Sequence, residues 1–145
     1  MPIPSTADTV LWRIHCRTHR DRVFALFDSD DGRASFWSAS AVEVDGVIQF
    51  RAKNGNRWES PIVERIPGRR LSINYGGLVT FDLEDAEDDG TDLTLTHTGF
   101  DPQDRDDVLA GWINILLPLK ARADFDVDLR NSDPARDWAH GYVDH

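Results

Sequence analysis

Residues 99–131 read GFDPQDRDDVLAGWINILLPLKARADFDVDLRN, and their spacing predicts one long helix near the C-terminus. Asp101 offers a side-chain oxygen to the first free N–H groups, and Pro102 suits the first helical turn. Asp104, Asp106 and Asp107 fall where the helix dipole favours anions; Lys120, Arg122 and Arg130 fall where it favours cations. Val108, Trp112, Ile115, Leu116, Leu119, Ala123 and Val127 recur at three- and four-residue steps and form one apolar stripe. Leu109, Ile113 and Leu117 form a second stripe beside it. An apolar arc this wide must be covered. It is too short for a membrane span and contains Asn114, so it belongs in a globular core. Pro118 removes one backbone donor and crowds the Asn114 carbonyl, so a kink is expected there. A helix of about 25 residues spans roughly 38 Å, enough to lie across a whole sheet.

The cover has to come from the preceding chain. Residues 10–17 alternate, with Val10, Trp12, Ile14 and Cys16 on one face, as in a half-buried strand. Thr18 and Asp21 fit a capping box before the apolar run 23–27, which predicts a short helix. Residues 28–32 read as its break, and 33–38 as a second short helix offering Phe36 and Trp37. From Ala41 to Thr98 the chain reads as consecutive antiparallel strands separated by Asp45-Gly46, 53–56, Pro67-Gly68, Gly76-Gly77 and an acidic loop at 85–90. Alternation places Ile48, Phe50, Ile62, Ile66, Leu71, Ile73, Tyr75, Val79, Phe81, Leu83, Leu93, Leu95 and His97 on the covered face. The predicted class is α+β: an antiparallel sheet of about seven strands gripping a long helix, with two short helices after the first strand.

With 145 residues, one domain is expected over 1–131, followed by a tail over 132–145. The formal charge of −10 argues against nucleic acid and against anionic membrane surfaces. Cys16 is the sole cysteine, so no internal disulfide and no cysteine metal site is expected. Met1 to Thr9 has neither a basic nor an apolar leader segment, and a cytoplasmic location is the default. The tail carries Trp138, Tyr142 and Val143, more apolar surface than a disordered tail holds. It is expected to pack on Leu109, Ile113 and Leu117, or on a partner subunit of a homodimer.

The run 22–27, Phe36-Trp37, the segments 62–71 and 90–100, and Gly111-Trp112 carry a family likeness by their order and spacing. On them the chain resembles the helix-grip superfamily of START domains, polyketide cyclases and the major birch pollen allergen. Within it, the chain is similar to the heat-shock-protein-90 ATPase activator homologues. The resemblance covers about 9–131. It implies a deep apolar cavity between sheet and helix that often holds a lipid, hormone or polyketide, and it implies no shared catalytic set. The chaperone-activating members have two domains, of which this chain resembles one.

An apolar small molecule is therefore the expected partner, with Phe50, Tyr75, Phe81, His97, Trp112 and Leu116 as expected wall residues. The aromatics, including five tryptophans, read equally as pocket walls or as core filling. His97 points inward by parity and is either a cavity acid–base group or a core histidine bonded to a neighbour. Glu64 shares the parity of Ile62 and Ile66, so it is either a buried proton acceptor or turned out by a bulge and paired with an arginine. A cyclase or hydratase using His97 with Glu64 or Tyr75, and a chaperone-related interaction module, are the alternatives. No metal is expected, because the five histidines show no zinc spacing. No cofactor is expected either: a phosphate loop, a dinucleotide fingerprint and a G-x-S-x-G elbow are all missing.

Overall fold

Alternating strands with one apolar face need a single cover, and the chain supplies it with its last helix. The computed structural model describes residues 8–145; the leader expectation falls on residues outside this range. The element order is β1 (Thr9–Cys16), α1 (Arg20–Asp28), α2 (Asp30–Ala34), β2 (Ser40–Val44), β3 (Val47–Arg51), β4 (Arg57–Ile66), β5 (Arg70–Asn74), β6 (Leu78–Asp85), β7 (Thr91–Thr98) and α3 (Arg105–Phe125). The seven strands form one sheet in the order β1-β7-β6-β5-β4-β3-β2, with every pairing antiparallel. Strands β2 to β7 form a meander, and β1 returns to pair along β7, with Val10 opposite His97 and Ile14 opposite Leu93. This is the helix-grip arrangement expected from the alternation.

The covered face holds Leu71, Ile73, Val79, Phe81, Leu83, Leu93 and Leu95, each at most 2% exposed. Trp112, Ile115, Leu116 and Leu119 of α3 pack onto it, together with Phe24 and Phe27 of α1 and with Phe36 and Trp37 after α2. The centre is aromatic. Phe27 lies 4.5 Å from Phe81, and Trp37 lies within 6.2 Å of Phe27, Phe36, Phe50, Tyr75, Phe81 and Trp112, from ring centre to ring centre, close to edge-to-face and tilted distances.

Four local expectations need correction. First, Thr18 does not cap α1: His19 does, its Nδ1 accepting from the Asp21 N–H at 3.2 Å. The Thr18 hydroxyl turns instead to the C-terminal end of α3, between the Ala123 carbonyl (2.6 Å) and the Asp124 carboxylate (2.7 Å). Second, the second short helix starts at Asp30, not Arg33, because Ser29 caps it by accepting from the Gly32 N–H at 3.0 Å. Third, β4 is bulged between Ile62 and Glu64, where two steps along β4 match one along β5. The extra residue reverses the parity, so Ile66 faces solvent, Glu64 turns out as its bulge alternative had it, and the partly exposed Arg65 reaches Asp28 at 2.9 Å and also Glu43. Fourth, α3 ends at Phe125 rather than continuing to 131. Asp126 adopts the left-handed conformation (φ 53°) and closes the helix onto the Ala121 and Arg122 carbonyls. Val127 and Leu129 are thus outside the helix and half exposed.

The last residues form polar contacts with the β3–β4 turn and the middle of α3. Lys53 Nζ donates to the Asn131 side chain (2.7 Å) and the Arg136 carbonyl (3.1 Å), and Asn54 Nδ2 donates to Asp137 at 3.0 Å. Asn114 Nδ2 lies 2.6 Å from His145 Nδ1. None of these bonds involves the stripe of Leu109, Ile113 and Leu117, where Ile113 and Leu117 stay 42% and 50% exposed. Among the described residues no helix is long and apolar enough to cross a membrane.

Candidate functional site

At the N-terminal half of α3 the helix stands away from β4 and from the β5–β6 turn. The gap is a cleft of about 670 Å³. Its floor is aromatic: Trp58 from β4, Tyr75 after β5, His97 from β7, and Trp112 from α3. Tyr75 packs on Trp112 at 5.4 Å, and His97 meets Trp112 edge to face at 5.8 Å. Val108, Gly111 and Ile115 line the helical side, and Glu59, Asp101, Asp104 and Asp107 rim the opening.

Two glycines shape it. Gly77 sits at φ 121°, a conformation that other residues avoid, and a Cβ there would lie 2.2 Å from the Thr98 carbonyl and 3.1 Å from His97 Nε2. The β5–β6 turn therefore closes tightly over His97. Gly111 is the reverse case. A Cβ on this helical residue would meet nothing within 4 Å, so its missing side chain leaves the cleft open. Glycine inside a helix costs about 1 kcal/mol relative to alanine, a cost that packing does not explain here.

His97 is held on both ring nitrogens. Trp112 Nε1 is a donor only, and it lies 2.8 Å from His97 Nδ1, so Nδ1 accepts. Nε2 then carries the proton and donates to the Gly76 carbonyl at 2.9 Å. Burial pushes the imidazole pKa below its ordinary 6.5, only partly opposed by the Gly76 carbonyl. A proton added at Nδ1 would face the Trp112 N–H, so the ring is a neutral structural link rather than a free acid or base. Long-range ¹H–¹⁵N NMR is expected to show the Nε2–H tautomer, with no titration of His97 through the neutral range; the Nδ1–H form, or protonation near neutrality, would contradict the assignment. Because the folded value is depressed, the contribution of His97 to stability is complete above the ordinary imidazole value and declines as pH falls below it. His15 is the opposite case: its hydrogen bonds to Asp92 and Asp88, both 2.8 Å, raise its value.

Of the six wall residues expected from sequence, Tyr75, His97 and Trp112 come together in this cleft. Phe50 lines a separate, smaller depression beside Trp58, while Phe81 and Leu116 sit in the core. Glu64 is outside the cleft, on the solvent face, paired with Arg70 at 3.3 Å. Sequence reasoning missed Glu59, Ser60 and Gly111 as lining residues, although a small residue in an otherwise bulky apolar helix was a usable signal for Gly111. Burial pushes the Tyr75 phenol above its usual value, an effect partly offset by the nearby indole N–H groups of Trp37 and Trp58. Neither indole N–H makes a hydrogen bond of normal geometry. Tyr75, Trp37 and Trp58 also line a smaller adjoining space of about 390 Å³, walled on the far side by Trp138, Ala139 and His145.

With fold and cleft described, relatives can be placed. The model of the family described as Activator of Hsp90 ATPase homolog 1-like protein matches residues 17–124. The chain belongs to this family. Among solved structures, the chain is similar to protein SSP2350 of Staphylococcus saprophyticus at 25% identity and a TM-score of 0.75, covering 84% of this chain and 96% of that one. It is also similar to the Aha1 dimer of Colwellia psychrerythraea, at 21% identity and a TM-score of 0.70, covering 81% and 96%. DynU16, from the dynemicin biosynthetic locus, matches at 16% identity and a TM-score of 0.71, covering 86% of this chain and 49% of that one. The last two likenesses show the fold alone. No curated protein sequence matches the chain.

Proposed function

We propose that this protein binds an apolar small molecule in the cleft between α3 and the end of the sheet. The observation that carries the reading is the void at Gly111: a cleft of about 670 Å³, floored by Tyr75 and Trp112, kept open by an absent side chain. Its size is that of an ordinary small-molecule site, and its floor is aromatic and apolar, with the carboxylates at its rim. The fold is compatible with ligand binding. Catalysis by His97 is not supported, since both ring nitrogens are engaged and Glu64 faces solvent.

The test is Gly111→Leu, which places a side chain in the open space. The variant is expected to lose at least about tenfold in affinity for a neutral aromatic probe such as naphthol. Its stability should stay equal or rise by up to about 1 kcal/mol, because a helical glycine has been replaced. Unchanged affinity, measured by calorimetric titration, would overturn the reading.

A further inference from the structure

The rim of the cleft has a chemistry that the binding of an apolar body does not require. Glu59, Asp101, Asp104 and Asp107 surround the opening, and no lysine or arginine lines it. Asp101 is committed, accepting from the Gln103 N–H at 3.0 Å. Asp104 sits at the N-cap of α3, yet its side chain makes no capping hydrogen bond. None of Glu59, Asp104 and Asp107 belongs to an ion pair among the described residues. The N-terminus of α3 offsets little of this, since a helix end carries about half a positive charge against several carboxylates. A divalent ion does not fit either: among the described residues no three carboxylate, histidine or cysteine side chains are placed to hold a metal.

A second, independent feature lies inside. Ser60 is 0% exposed, lines the same cleft, and its hydroxyl has no hydrogen-bond partner. A buried hydroxyl left unpaired is costly, so it is a position reserved for a polar atom of whatever enters. The Trp58 indole N–H, also in the wall, is likewise unpartnered. Tyr75 and Trp112 line the same cleft, and their faces attract both aromatic rings and organic cations.

We propose that the cleft selects by charge, taking an arylalkylamine as its ammonium cation at the Asp104–Asp107 rim, with an oxygen at the far end of the ligand meeting Ser60. This rests on the binding reading above and names its ligand class. The body stacks on the aromatic floor, the ammonium replaces bulk water with carboxylates, and the inner oxygen pairs with the stranded hydroxyl. The matching carboxylate is repelled by the same rim.

Four fragments on one benzene body separate these parts: tyramine, phenethylamine, para-ethylphenol and para-hydroxyphenylpropionate, each titrated into the full chain and followed by amide and indole NMR shifts. Tyramine is expected to bind tightest. Phenethylamine, lacking the oxygen, and para-ethylphenol, lacking the charge, should each be about fivefold weaker, the scale of one hydrogen bond or one partly exposed ion pair. The propionate should be weakest. Asp104→Asn with Asp107→Asn, which keeps a good N-cap residue, should reduce tyramine to the level of para-ethylphenol without changing the latter. Ser60→Ala should reduce tyramine to the level of phenethylamine. If the propionate binds as well as tyramine, or the double variant leaves tyramine unchanged, charge selection is wrong while binding of para-ethylphenol still supports the cleft. If Ser60→Ala has no effect on tyramine, the inner contact is wrong. If no fragment shifts any cleft resonance, the binding reading falls and the inference with it.

Discussion

Arg33→Ala is expected to destabilise the protein by about 4 kcal/mol, the largest single effect in the chain. Arg33 is 1% exposed, and its guanidinium joins three elements. Nε donates to the Ala41 carbonyl of β2 at 2.9 Å, one terminal nitrogen to the Phe27 carbonyl of α1 at 2.7 Å, and the other to Asp30 at 2.5 Å. Burial lowers the guanidinium pKa, opposed mainly by Asp30. Truncation leaves two buried carbonyls without a donor, at about 1–3 kcal/mol each, and adds a void beside Phe27. Arg33→Lys keeps the charge but not the planar fork, so it should recover only part of the loss. Chemical denaturation measures both. A loss under 1 kcal/mol for Arg33→Ala would show that water replaces the guanidinium and that the three-way joint is not structural.

Asp124→Ala follows, at about 3 kcal/mol. The Asp124 side chain is 1% exposed at the last turn of α3. It accepts from the Arg17 and Thr18 N–H groups, both at 3.0 Å, where the chain leaves β1, and Lys120 approaches it at 3.1 Å. One carboxylate thus pins the end of the long helix to the first strand. Burial by itself would raise its pKa, but the Thr18 hydroxyl, the two N–H groups and Lys120 outweigh this and hold it below the ordinary value. The sign follows: the stabilisation is present above the ordinary carboxyl value and is lost as pH falls through the depressed one. Asp124→Asn keeps an acceptor, so it should cost less than alanine and should flatten the acid limb of the stability curve. An unaltered acid limb in Asp124→Asn would place that pH dependence elsewhere.

These two residues also mark where the sequence stops being legible. Period-two alternation revealed the covered faces of β5, β6 and β7, because parity alone decides which way a strand residue points. It could not reveal the bulge after Ile62, since nothing in the residues 62–66 distinguishes an extra residue from a straight strand. Arg33 and Asp124 look like ordinary surface charges, because most of their partners are backbone groups of other elements, near in sequence for Arg33 and distant for Asp124. The helix ran short of its apolar pattern because Asp126 turned left-handed, and periodic Val127 did not prevent it. The site divides in the same way. Tyr75, His97 and Trp112 follow from parity and helical phase, but Phe81 and Leu116 share those faces and lie deeper, in the core. Depth along a covered face is a property of three packed elements, so Ser60 carries no local mark, whereas Gly111 carries one, a small residue in an otherwise bulky apolar helix.

The most direct measurement for the account is the calorimetric affinity of naphthol for the native chain and for Gly111→Leu, taken with the thermal stability of both. The account predicts binding to the native chain, at least about a tenfold loss in the variant, and a melting temperature that holds or rises. Equal affinity for both, or no binding to either while the fold is intact, would contradict the claim that this cleft is a ligand site.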